Sequence, residues 1–151
     1  MEIRDRVIVV TGAASGIGEA LVERFAADGA RAVVVADRDA RGAAEVAGRM
    51  GGTPVACDVT DEAAVKDLID STVSAHGAID LVVSNAGYVT AGGLEAPDDE
   101  LRRMFDVHVM AHLYAARHAI PHMADAVGGY LLNTSSAAGL LTQIGSLHYS
   151  V

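Results

Sequence analysis

At 151 residues, 51% of them hydrophobic and 21% charged, the chain has the size of one domain and enough apolar residues to bury a core, which argues against intrinsic disorder. Its formal net charge of −9, from 20 acidic residues against 11 Lys and Arg with no basic cluster, argues against a nucleic-acid partner. With one cysteine, Cys57, an internal disulfide and a cysteine-cluster metal site are both excluded.

The opening Met1-Glu2-Ile3-Arg4-Asp5-Arg6 has no signal-peptide pattern, and no apolar run approaches the roughly 20 residues of a membrane span. The expectation is a soluble, cytoplasmic protein with no membrane partner. Arg6 to Thr11 is a continuous β-branched run that predicts a strand buried on both faces. Ile17, Leu21 and Phe25 then recur at helical spacing up to Asp28-Gly29. Ala32 to Ala36 predicts a second strand, and Ala40 to Met50 an alanine-rich helix. A short strand at Pro54 to Cys57 leads to Asp58, with Thr60 expected to cap a helix whose stripe is Val65, Leu68, Ile69 and Val73.

Ile79 to Ser84 predicts a fourth strand. Pro97 followed by Asp98, Asp99 and Glu100 reads as a helix start, acids standing where the helix dipole favours them. That helix is expected to carry Leu101, Met104, Phe105 and His108 on one inward face, and Pro121 to kink or end it. Gly128-Gly129 introduces a fifth strand, Tyr130 to Thr134. Strands alternating with helices imply a single α/β domain over 1–151, a three-layer doubly wound parallel sheet of the dinucleotide-binding (Rossmann) type, truncated after about five strands.

Between the first strand and the first helix lies Thr11-Gly12-Ala13-Ala14-Ser15-Gly16-Ile17-Gly18. Glycines let a pyrophosphate approach the backbone and tolerate positive φ, while the helix N-terminus offers free N–H groups and a favourable dipole. The spacing G-x-x-x-G-x-G differs from the general G-x-G-x-x-G fingerprint, and its placement between strand and helix gives it weight. Asp37 follows the second strand, 19 residues after Gly18. An acid there can accept hydrogen bonds from the adenosine ribose hydroxyls and repels the extra phosphate of NADP. The alternative role is a helix N-cap. Arg38 beside it could meet a 2′-phosphate, so NAD is the expected cofactor and NADP the less favoured one.

Taken together these motifs resemble the short-chain dehydrogenase/reductase family over essentially the whole chain. Thr11 to Gly18 matches its phosphate-binding turn, which implies cofactor contacts from Gly12, Ser15, Gly16, Ile17 and Gly18. Asp58-Val59 resembles its adenine-contacting pair, and Asn85-Ala86-Gly87 its N-A-G motif, with Ser84 where the family usually has a second asparagine. Tyr149 lies 13 residues beyond Ser136, the family's spacing between catalytic serine and tyrosine, so Ser136 is favoured over Ser135.

The resemblance implies an NAD(H)-dependent oxidoreductase that interconverts an alcohol and a ketone or aldehyde. Tyr149 is the expected acid/base, and Ser136 the group that orients the substrate oxygen. A phenol with a pKa near 10 is a poor base at neutral pH unless a cation lowers it. The family's Y-x-x-x-K motif places that lysine at 153, past Val151, so this chain alone is expected to be inactive. The alternative reading is a non-catalytic NAD-binding or interaction module with an unpaired edge at its fifth strand.

His108 stands where the family commonly has an asparagine that supports a water relay. Histidine can donate and accept, and a buried structural role is the alternative. The pairs His108/His112 and His118/His122 lack an H-E-x-x-H acid and a third ligand, so no metal is expected. Cys57 reads as a core residue, and Tyr88 to Glu95 as a loop lining the substrate end. The resemblance also implies a homodimer or homotetramer built partly on the helix from Leu101 to His118.

Overall fold

The computed structural model describes residues 1–124, 126, 128–141 and 145–150. Strand β1 (Val7–Thr11) leads to helix α1 (Gly16–Ala27), β2 (Ala32–Asp37), α2 (Ala40–Met50), β3 (Thr53–Ala56) and α3 (Glu62–His76). Then follow β4 (Leu81–Ser84), α4 (Asp98–Phe105), a π-helical turn (Asp106–Met110), α5 (Ala111–Ala124) and β5 (Tyr130–Asn133). Two single 3₁₀ turns, Ala137–Gly139 and Leu147–Tyr149, come last.

All strand pairs are parallel, in the order β3-β2-β1-β4-β5. The β-branched run of β1 is fully buried because it has a helical layer on each face. Ile8 and Val10 pack with Val33, Val35 and Val83 against α1 and α2, through Val22, Phe25, Ala43 and Val46. Val9, Val34 and Val82, pointing the other way, meet α3 and α5 through Leu68, Ile69, Ala115 and Ala119. Alternate side chains of one strand thus feed two cores, which makes the three layers. From β1 the order runs to β2 on one side and to β4 on the other. That reversal opens a crevice at the C-terminal strand ends, where ligands bind in sheets of this type.

Strand boundaries agree with the sequence reading to within one or two residues, and several local expectations are corrected. Asp61, not Thr60, caps α3, its carboxylate accepting from the Ala63 N–H at 2.9 Å; Thr60 instead donates its N–H and hydroxyl to Asp58. Pro121 does not end α5, which runs on to Ala124. In α1 the buried face is Gly18, Val22 and Phe25, leaving Ile17 64% exposed.

Leu101 and Phe105 do not share the inward face: they are 42% and 54% exposed, while Met104 and Val107 are buried. The π-helical turn resets the helical phase, and beyond it Ala111, Ala115, Ala119 and Met123 form the stripe against the core. Small residues win the inward positions because α5 lies close against α3 and β4, and the larger Val109 and Leu113 are turned outward. Among the described residues no helix is long and apolar enough to cross a membrane.

Candidate active site

The turn after β1 is shaped by contact with the turn after β4. Gly12 has φ +64°, and a Cβ on it would stand 2.6 Å from the Ala86 Cα, so a side chain is excluded by conformation and by space. Gly16 also has a positive φ, +59°, but nothing lies within 4 Å of where its Cβ would be. That side of the turn faces open space. Ser15 is the N-cap of α1 and makes no side-chain cap bond, so the first N–H groups of the helix point outward unspent. Gly18 is different: it is buried under the turn, where a Cβ would stand 2.1 Å from the Gly12 carbonyl oxygen. Its role is packing of helix against turn.

Asp37 ends β2 next to this turn. Its Oδ2 accepts from the Ala14 N–H at 3.0 Å and its Oδ1 from the Asp39 N–H at 2.9 Å. The cap of α2 is Asp39, whose side chain accepts from the Gly42 N–H, so Asp37 does not serve as the N-cap. Asp58, after β3, accepts twice from Thr60 on Oδ1. The Thr60 N–H and hydroxyl hold its carboxyl below the usual carboxylate range, helped by the more distant positive charges of Arg103 and Arg38. Cys57 beside it is buried, and burial followed by the charges of Asp58 and Asp61 pushes its thiol up to about 11. It stays a neutral core group.

Thr11 stitches the strand ends together. Its hydroxyl donates to the Val83 carbonyl at 3.3 Å and accepts from the Asn85 and Ala86 N–H groups at 3.0 and 3.1 Å. The Asn85 side chain donates to the Thr11 carbonyl at 3.1 Å and accepts from the Thr134 hydroxyl at 3.1 Å. Asn85 therefore links the ends of β1, β4 and β5, and its side chain is engaged with protein groups.

At the other end of the crevice three rings come together. His108, in the π-helical turn, donates from Nε2 to the Tyr88 carbonyl at 2.8 Å, a carbonyl being able only to accept. Its ring stacks on Tyr88 at 6.0 Å between centroids and meets Tyr149 edge-on at 5.3 Å. Gly87 makes room for it, since a Cβ there would stand 2.8 Å from His108 Cε1. Burial, then the negative charge of Glu100, pushes the Tyr88 phenol up from its ordinary value. His112, one turn on, has its pKa lowered by burial and then by His108, and its Nδ1 is buried without a partner. Ser136 is exposed, and its hydroxyl oxygen accepts from the Ala138 N–H at 3.1 Å.

One cleft of about 960 Å³ gathers these groups, with the glycine turn, Asp37 and Asp58 toward one end and Asn85, His108, Ser136 and Tyr149 toward the other. The sequence matches the family described as short chain dehydrogenase over residues 6–151. The chain belongs to the short-chain dehydrogenase family. It is 38% identical to the 1-deoxy-11-beta-hydroxypentalenate dehydrogenase of Streptomyces avermitilis, the match covering 99% of this chain and 58% of that enzyme. A short chain dehydrogenase from Mycobacterium smegmatis superimposes with a TM-score of 0.93 at 31% identity, over 99% of this chain and 65% of that one. A 7 alpha-hydroxysteroid dehydrogenase complexed with NADH and 7-oxo glycochenodeoxycholic acid gives 0.91 at 29% identity, over 99% and 61%. The chain thus spans 58–65% of the length of these relatives.

Of the residues that the short-chain dehydrogenase motifs single out, all but Gly18 line the cleft: Gly12, Ser15, Gly16, Ile17, Asp37, Asp58, Val59, Asn85, Ala86, Gly87, His108, Ser136 and Tyr149. Tyr88, from the loop expected at the substrate end, also lines the cleft; sequence reasoning missed Arg103 and Thr134, which share its wall, and Thr11 as the hub beneath it. A threonine closing a buried strand was the available signal for Thr11. Arg103 depends on the phase of α4, which no local pattern sets.

Proposed function

We propose that the chain is the cofactor-binding and proton-transferring part of an NAD(H)-dependent oxidoreductase that interconverts an alcohol and a ketone or aldehyde. The observation that carries this reading is the convergence of the glycine turn, Asp37, Ser136 and Tyr149 on one cleft at the C-terminal strand ends. The residues present fit a dinucleotide. The open space before Gly16 and the unspent N–H groups at Ser15, Gly16 and Ile17 suit a diphosphate, and Asp58 with Val59 an adenine. Asp37, anchored by two backbone N–H groups, suits the ribose hydroxyls and opposes a 2′-phosphate, which favours NAD over NADP despite Arg38 on the same wall. When bound, the nicotinamide supplies or accepts the hydride.

The remaining work falls to the chain's own groups. The Ser136 oxygen accepts from the Ala138 N–H on one lone pair and keeps its own proton to donate to a carbonyl oxygen and hold it in place. Tyr149 gives its hydroxyl proton to that oxygen in reduction and takes one from the alcohol in oxidation. His108, with Nε2–H committed to the Tyr88 carbonyl, keeps Nδ1 as an acceptor that can order water beside Tyr149. The phenol needs a cation nearby to work near neutral pH, and the resemblance places it in a lysine at 153. On this reading the working enzyme is a cytoplasmic homodimer or homotetramer that uses the outward apolar stripe of α4 and α5.

NADH-linked reduction of a carbonyl panel tests the assignment. In a form of the protein that carries the lysine four residues past Tyr149, Tyr149→Phe should cost on the order of 10²–10⁴-fold in kcat with NADH affinity retained. An unchanged kcat would remove Tyr149 from the chemistry. A second reading, a module that binds NAD without turnover, draws on β5, whose four residues are all exposed. NADH binding without reduction of any panel member, in a form that carries that lysine, supports it.

A further inference from the structure

The open end of the cleft is bordered by a feature that neither cofactor binding nor proton transfer uses. The connection between β4 and α4 meets the turn that carries Tyr149 in a short parallel bridge. The Gly92 N–H donates to the Gly145 carbonyl at 2.8 Å, and the Leu147 N–H to the Gly92 carbonyl at 3.0 Å. Next to Tyr149 in sequence, His148 is driven into this junction and is only 4% exposed. Its Nε2 bonds the Thr90 hydroxyl, and Thr90 in turn donates to Glu100 Oε1, at 3.1 Å, on the first turn of α4.

The direction of this chain follows from proton counting. The Thr90 hydroxyl has one proton, and a carboxylate accepts only, so that proton goes to Glu100. Toward His148 the same oxygen can then only accept, which puts the imidazole proton on Nε2. Among the described residues, Nδ1 is buried without a partner. The ring is wedged against Gly92, where a Cβ would stand 2.9 Å from Cε1 and 3.3 Å from Nδ1. A polar ring held in so confined a place by one directed chain fixes a geometry.

What it fixes lies close by. Thr90 is two residues past Tyr88, and His148 immediately precedes Tyr149. Tyr88 and Tyr149 are the two rings that pack on His108. We propose that His148 is a positioning residue for Tyr149: the His148–Thr90–Glu100 chain latches the loop after β4 to the Tyr149 turn, so that phenol and loop hold their places at His108 as one unit. The consequence for turnover rests on Tyr149 being the acid/base; the latch does not.

The test reads the packing of His108 on Tyr149 itself, as the NOE between their ring protons in the full chain. Thr90→Val keeps the shape and removes the hydroxyl that joins the two partners, whereas Thr90→Ser keeps the hydroxyl. The valine variant should show little of the NOE and the serine variant all of it. NADH affinity should stay within about twofold in both, Thr90 lying off the cleft wall. If the valine variant does not fold, His148→Phe and His148→Gln pose the same question. The phenylalanine should abolish the NOE, and the glutamine, whose amide N–H can still reach Thr90, should preserve it. An NOE at wild-type strength in Thr90→Val or His148→Phe overturns the latch, as does an equal drop in both members of a pair. In a form that carries the lysine four residues past Tyr149, carbonyl reduction persisting in Tyr149→Phe would instead defeat the acid/base reading and leave the latch standing.

Discussion

Thr11 shows how much of the site depends on one hydroxyl. It is 5% exposed and satisfies three backbone groups of the β4 end at once, which sets the Asn85-Ala86-Gly87 turn against Gly12. Thr11→Val keeps the volume and leaves the Asn85 and Ala86 N–H groups without an acceptor. Urea unfolding should show a loss of about 2–6 kcal/mol, since each of the two buried donors left unpaired costs about 1–3 kcal/mol. A midpoint unchanged from wild type would mean that water reaches those groups. Asp37 illustrates a different economy: its position after β2 was readable from spacing, but its anchoring bond to Ala14 was not, because that bond depends on how two separate turns are stacked.

At the scale of elements, what was legible was what burial on both faces dictates. The runs in β1, β2 and β4 read as strands because their residues meet a hydrophobic layer on either side, and the glycine turn was placed by the strand and helix flanking it. The helix phase near His108 was not legible. The π-helical turn Asp106–Met110 inserts a residue that no local pattern marks, so Leu101 and Phe105 lie outside while alanines take the core. The Tyr88, Arg103 and His148 surroundings were hidden for the same reason, being set by loops that meet only in the fold.

The packing of α3 on α5 carries a pH dependence. Glu62 accepts from Arg117 and His118, and Asp70 pairs with Lys66 and His122. Arg117 first, with lesser help from His118, holds the Glu62 carboxyl below its usual 4.5. Lys66 likewise holds Asp70 below 3.8. A carboxyl with a depressed folded pKa contributes stability present above its unfolded value and lost as pH falls through the folded one. The melting temperature should therefore be insensitive to these two groups above about pH 5 and fall below it. Glu62→Gln should flatten part of that acid limb; an acid limb of unchanged slope would show that these exposed pairs contribute nothing.

Across the whole molecule, the outward faces of α4 and α5 place Leu101, Phe105, Val109 and Leu113 in one apolar row, each between 42% and 54% exposed. Such a row is a natural seat for a second copy of this chain. Light scattering should find a dimer or larger assembly for the wild type and a smaller species for Phe105→Glu, with secondary structure intact. A monomeric wild type would remove the row from assembly.

The central claim is that the cleft between the β1 and β4 ends is an NAD(H) site. Titrating the wild-type chain and Asp37→Asn with NADH and with NADPH, followed by cofactor fluorescence, tests it most directly and does not depend on turnover. NADH should bind the wild type about tenfold or more tighter than NADPH, and Asp37→Asn should narrow that gap, about 1.4 kcal/mol corresponding to each factor of ten. A folded wild type that binds neither cofactor, or that prefers NADPH, would contradict the account.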